Sequence, residues 1–180
     1  MSKLIAILLV GLLSPVLVHA GPDTPSKFDP TPYAPQKALY DFNFAEPKPR
    51  QSFGYVLNHI KALKEFSDFD KSQIVIVAHG NELHTMARKN RAIYPEMYDA
   101  LKELNSLGVK IRICRNAARS RGYGPEDFYE FATVVPAAVI EIAKWQNEGF
   151  SYMYPAAAST NPRITREQLV EKYPELEMAD

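Results

Sequence analysis

Cysteine is almost absent from this chain: Cys114 is the only one in 180 residues. A lone thiol cannot close an internal disulfide, which excludes the cross-linked scaffolds of small coreless secreted domains. Net charge is absent as well, with 21 Lys and Arg against 21 Asp and Glu. No global field marks the chain as a binder of nucleic acid or of anionic membranes. Beyond residue 20 no apolar run approaches the ~20 residues that a membrane span requires. No Gly-x-Ser-x-Gly elbow is present, which argues against a Ser-His-Asp hydrolase built on one. No glycine-rich loop follows the first candidate strand, so the usual dinucleotide cradle is missing and no cofactor is expected. His79, Glu82 and His84 are near neighbours, but their spacing matches no metal-ligand pattern and no cysteine joins them. No metal is expected.

What is present begins at the N-terminus. Lys3 supplies a positive start, and Leu4 to Val18 is apolar except for Gly11, Ser14 and Pro15. Val18-His19-Ala20 then puts small residues at the two cleavage positions. Residues 1–20 read as a secretory signal peptide, which predicts a periplasmic protein with no stable membrane insertion after cleavage. An uncleaved anchor is the alternative, and the run is short for one. Residues 21–36 contain five prolines and read as an extended leader. Residues 37–155 carry the periodic patterns of one domain, and residues 156–180 read as a peripheral tail. In that tail Thr165-Arg166-Glu167-Gln168 has the form of a capping box, which predicts a helix of about two turns.

Within the domain, Ala38 to Phe44 suits a first strand. Phe53, Val56, Leu57, Ile60, Leu63 and Phe66 fall at helical spacing. Ile74 to Ala78 is the continuous β-branched run of a strand buried on both faces. Asn81 is placed to cap a short helix from Glu82 to about Asn90. Tyr94, Met97, Tyr98, Leu101, Leu104 and Leu107 repeat the helical period, and Gly108 stops it. Val109 to Cys114 is the next strand. Gly124-Pro125-Glu126-Asp127 reads as a helix start. Thr133 to Val135 is a brief strand. Ala137 to Glu148 is an apolar helix whose polar stripe is Glu141, Lys144 and Glu148. Phe150 to Tyr154 is a last strand. Strands alternating with helices predict an α/β fold, a mostly parallel sheet with helices on both faces.

Cys114 ends a strand, which is where open α/β sheets gather their ligand and catalytic groups. Alternation puts Val109, Ile111 and Ile113 on one face and Lys110, Arg112 and Cys114 on the other. Arg115, Arg119 and Arg121 follow directly. Cations near a thiol favour the thiolate, and the motif predicts titration below the ordinary ~8.5. A buried cysteine packed as a small hydrophobe is the competing reading. His79-Gly80 ends the neighbouring strand, and the imidazole is placed either to orient or deprotonate the thiol or to bond a loop.

Taken together, these segments resemble the DsrE/DsrF-like sulfur-relay family from about Ala38 to Pro155. The resemblance rests on Ile74 to Gly80, on Gly108-Val109 leading into Ile113-Cys114-x-Asn116 and Arg121-Gly122, and on Val134-Val135-Pro136. Ile140-x-x-Ala143-x-x-Gln146-x-x-Gly149-Phe150 completes the set. It implies a flavodoxin-like five-stranded sheet, a homo-oligomer, and a cysteine that accepts and passes sulfur as a persulfide, here Cys114 with His79 beside it. Gly80, Arg115, Asn116, Arg119 and Arg121 are then the expected binding residues. The expected partners are a second copy of the chain and a sulfur donor or acceptor, protein or small molecule. The well-known relay members are cytoplasmic, whereas this chain carries an export signal. A non-enzymatic oligomeric binding module using the same crevice is the alternative function.

Overall fold

Five β-branched or aromatic runs become strands, and all of them pair in parallel. The computed structural model describes residues 24–47, 49–155 and 165–174. The expected signal peptide lies outside the described residues. Residues 24–30 belong to a first unit and carry no helix or strand; residues 31–180 form a second unit, to which everything below refers.

The elements run β1 (Lys37–Phe42), α1 (Pro49–Phe66), β2 (Gln73–Ala78), α2 (Leu83–Met86), α3 (Glu96–Ser106), β3 (Lys110–Cys114), α4 (Arg115–Ser120), β4 (Ala132–Val135), α5 (Ala138–Asn147), β5 (Ser151–Met153) and α6 (Arg166–Lys172). The sheet order is β4-β3-β2-β1-β5. Parallel strands joined by crossovers take the right-handed connection almost without exception. Stepping one way from β1 through β4 therefore puts the intervening helices on one face. The return to β5, beside β1, puts α5 on the other. Strand order reverses between β1 and β5, and in open α/β sheets such a reversal opens a crevice at the carboxyl ends.

The two faces are unequal. The larger core gathers Tyr40, Phe42, Ile76 and Ile111 of the sheet against Val56, Ile60, Leu83, Met97 and Leu101 of α1, α2 and α3. The smaller gathers Leu39, Val75, Val77 and Cys114 against Ala138 and Trp145 of α5, with Phe150. Two helix ends turn into strands through glycines in the left-handed region. Gly108 has φ +79° and Gly149 φ +85°, which a side chain at either position would oppose. At the second, Phe150 N–H reaches Trp145 O at 3.0 Å and the two rings pack 4.9 Å apart. That is the paired backbone bond and apolar contact of a Schellman stop.

Several local expectations differ from the structure. Gly124-Pro125-Glu126-Asp127 starts only a single 3₁₀ turn, Pro125–Asp127. Asp127 bonds back to Gly124 N–H at 2.8 Å, and Phe128 becomes extended to bridge Ala87, so no helix propagates. The helix expected over 82–90 divides into α2 and a 3₁₀ turn, Arg88–Asn90. Asn81 does not cap it; its amide donates to Ala45 O at 2.6 Å and its carbonyl accepts from Arg121. The residues after Cys114, to which no helix was assigned, form α4.

The largest correction is in α5. Glu141, placed on the polar stripe, is buried, while Val139 and Ile140 are 73% and 57% exposed. Glu141 faces the sheet because Arg112 lies there: Arg112 Nε is 3.6 Å from Glu141 Oε1, and Trp145 Nε1 donates to the same oxygen at 2.8 Å. An inward arginine demands an inward acid, and the apolar residues at 139 and 140 are left outside. In the tail, α6 carries the expected capping box, with Gln168 N–H donating to Thr165 Oγ1 at 3.3 Å.

Candidate functional site

Alternation along the strands selects what reaches the carboxyl edge on the α5 face. Leu39 on β1, Val75 and Val77 on β2, and Cys114 on β3 all belong to the smaller core. Two residues beyond Leu39 on the same face is Asp41, and two beyond Val77 is His79. Phe150 precedes β5 by one residue and belongs to this core, so Tyr152 shares the face as well. The register sets their levels. Ala78 pairs with Ile113, so the next residues, His79 and Cys114, stand level on neighbouring strands.

Polar contacts tie Asp41, His79 and Tyr152 together. His79 Nε2 lies 2.8 Å from Asp41 Oδ1, and Tyr152 O–H donates to Asp41 Oδ2. Asp41 is thereby held between β2 and β5, across the strand reversal. Burial pushes its carboxyl upward, but the bonds from His79 and Tyr152 and the charge of His79 outweigh this and hold it below the ordinary value. The bond to Asp41, with burial, pushes the Tyr152 phenol up to about 12.

Cys114 is 5% exposed. Its sulfur accepts the N–H of Ala117 at 3.4 Å. The cations that sequence alternation aligned with it are engaged elsewhere. Lys110 Nζ sits over Trp145 at 4.9 Å, and Arg112 faces Glu141. Arg121 straps the loop after β2 to α4, from Nε to Asn81 Oδ1 at 3.0 Å and from Nη1 to Ala117 O at 2.9 Å. Arg115, Asn116 and Arg119 are exposed on α4.

Gly80 acts by letting backbones approach. A Cβ there would stand 2.3 Å from Phe44 N and 2.4 Å from Glu82 Oε2. The fully buried Glu82 accepts Gly80 N–H at 2.7 Å on one oxygen and Phe44 N–H at 3.0 Å on the other. Burial raises its carboxyl above the ordinary value, against the lowering effect of those N–H groups. The clamp locks the loop after β2 to the loop after β1, and so holds His79 against Asp41. His84 stands apart on α2, bonded to Tyr123 O–H at 2.7 Å. His59 bridges Tyr40 O–H at 2.7 Å and Gln36 Oε1 at 2.9 Å. Among the described residues no three His, Cys, Asp or Glu side chains converge as metal ligands.

Residues 37–155, more than half of the chain, match the DsrE/DsrF-like family. The chain belongs to the DsrE/DsrF-like family. That family is linked to sulfur relay. Among solved structures, the chain is similar to a protein of unknown function, MTH1491 from Methanobacterium thermoautotrophicum. The two are 22% identical with a TM-score of 0.55, over 67% of this chain and 99% of that one. At that identity the likeness speaks for the fold, a five-stranded parallel α/β sheet. No curated protein matches.

On this DsrE/DsrF-like sheet the structure brings Cys114 and His79 level and keeps Gly80 and Arg121 in the flanking loops. Asp41 and Tyr152 were missed by sequence reasoning. An acid inside the otherwise apolar run Ala38 to Phe42 was the available signal for the first. Nothing local marked Tyr152, because its role depends on β5 returning beside β1.

Proposed function

We propose that this chain is an exported DsrE/DsrF-like sulfur carrier that takes up sulfur as a persulfide on Cys114. The observation that carries the reading is the placement of Cys114 at the carboxyl end of β3, level with His79 and on the same face. His79 acts there as the proton acceptor. A thiolate at Cys114 attacks the outer sulfur of a donor persulfide, R–S–SH. The donor S–S bond breaks, a new S–S bond forms at Cys114, and the donor leaves as RS⁻, with no net oxidation. Export rests on the pattern of residues 1–20, and N-terminal sequencing from the native cell is expected to begin at Gly21. A chain beginning at Met1 or Ser2 would remove the periplasmic setting.

Intact mass after incubation with polysulfide tests the chemistry. One added sulfur atom is expected on the wild-type protein and none on Cys114→Ser. The second reading, a non-enzymatic homo-oligomeric binding module, draws on the burial of Cys114 and on the exposure of Val139, Ile140, Tyr152 and Tyr154. A thiol that reacts only in denaturant would favour it.

A further inference from the structure

The proposed chemistry uses Cys114 and His79 and leaves Asp41 and Tyr152 without a task. These two stand at the strand reversal, where open α/β sheets place their functional crevice. They form a continuous chain with His79 across β5, β1 and β2. A carboxylate bonded to one nitrogen of a histidine fixes which nitrogen carries the proton. Here the carboxylate meets Nε2, and no described residue bonds Nδ1.

We infer that Asp41 and Tyr152 are positioning residues, which hold the His79 ring with its proton on Nε2 and leave Nδ1 bare to accept the proton of Cys114. The inference rests on the reading that Cys114 reacts as a thiolate. In the proton step the S–H bond breaks, an N–H bond forms at Nδ1, and the electron pair stays on sulfur. Asp41 remains ionised throughout and stabilises the imidazolium that results. Tyr152 donates to the second oxygen of Asp41, which keeps that carboxylate in one orientation. In the resting structure the thiol instead accepts Ala117 N–H, and catalytic hydrogen bonds commonly tighten only when substrate is present.

The charged and titratable neighbours are few. Glu82, in the loop after β2, feels the charge of His79, and Tyr152 feels that of Tyr154 just beyond β5. Arg112 shares the face of Cys114 on β3 and is neutralised by Glu141 of α5. Arg115 and Arg119 of α4 are exposed. None of these is bonded to His79, so its carboxylate partner is Asp41.

The test is the pH profile of iodoacetamide alkylation of Cys114 in the purified protein. It compares wild type with His79→Gln, Asp41→Asn and Tyr152→Phe, between about pH 5 and 9. A thiolate that depends on the imidazolium reacts on the acid side of the profile. Asp41→Asn is expected to lower the rate near pH 6 about tenfold and to leave it unchanged near pH 9, where an ordinary thiol ionises unaided. Tyr152→Phe should move the rate the same way by less, and His79→Gln by at least as much. A purely structural role gives the opposite sign: loosening the site exposes the buried thiol and raises the rate at every pH.

A second measurement is independent of reactivity. Nitrogen NMR of the His79 ring in the folded wild type should find the proton on Nε2, and a proton on Nδ1 overturns the inference. Profiles of the three variants that superimpose on a reactive wild type also overturn it, with the persulfide reading intact. A wild-type thiol that stays inert to both iodoacetamide and polysulfide sinks the persulfide reading and the inference together.

Discussion

Replacing Glu82 by Gln tests the clamp that sets the site. Glu82 is fully buried and gives one carboxylate oxygen to Gly80 N–H at 2.7 Å and the other to Phe44 N–H at 3.0 Å. Glutamine has a single carbonyl oxygen, so one of these N–H groups must face an NH₂. Leaving a buried N–H without an acceptor costs roughly 1–3 kcal/mol. The neutral side chain recovers part of the desolvation that raises the Glu82 carboxyl. A net loss of about 1–2 kcal/mol near pH 7 follows, or about 2–8 °C in melting temperature for a domain of this size. The pH dependence has a definite sign. A carboxyl raised in the folded state binds its proton more tightly there than in the unfolded chain. Its contribution is fully present below the unfolded value of 4.5 and is lost as pH rises through the folded one. Glutamine carries no such dependence. The stability gap between wild type and Glu82→Gln should therefore be widest near about pH 5 and narrow toward about pH 8. Thermal melts of both proteins at matched pH values measure it. A gap that widens as pH rises would refute the reasoning, because the ionised carboxylate would then be favoured by the clamp over the acid.

Three further outcomes follow from the same geometry. Gly80→Ala drives a Cβ to 2.3 Å from Phe44 N and should cost about 3 kcal/mol or more, read as a lower urea midpoint. Glu141→Ala strips the half-buried Arg112 of its acid and Trp145 Nε1 of its acceptor, and should destabilise by about 3 kcal/mol in urea titration. Asp41 is depressed in the folded state, so its contribution is present above the unfolded value of 3.8 and is lost as pH falls through the folded one. Asp41→Asn should therefore flatten the acid limb of the stability–pH curve, and a variant that melts in parallel with wild type down to about pH 2 would show that the carboxylate is not held by His79 and Tyr152.

Most of the layout is legible in the amino-acid sequence. Ile74 to Ala78 could only be a doubly covered strand. The helical spacing of Phe53 to Phe66 matches α1, and that of Tyr94 to Leu107 matches α3 except at its first member, since Tyr94 precedes the helix. The position of Cys114 at the end of β3 followed from the β-branched run before it. These are local properties: period, branching and a stop residue act within a few positions of one another. The short elements were read less well. Residues 115–120 became a helix, and Pro125–Asp127 stopped after one turn because Phe128 is drawn into a bridge with Ala87, a partner 41 positions away.

The electrostatics of the site depended on folding to a greater degree. Alternation correctly put Lys110 and Arg112 on the face of Cys114, but it could not tell that Trp145 and Glu141 of α5 would occupy them. The same contact turned Glu141 inward and Val139 and Ile140 outward, against the helical pattern. Asp41, His79 and Tyr152 come from three strands far apart in sequence. They meet because β5 returns beside β1 instead of extending the sheet past β4. Periodicity specifies which face of an element is buried. Strand order specifies which elements touch, and it is chosen by the packing of the whole sheet.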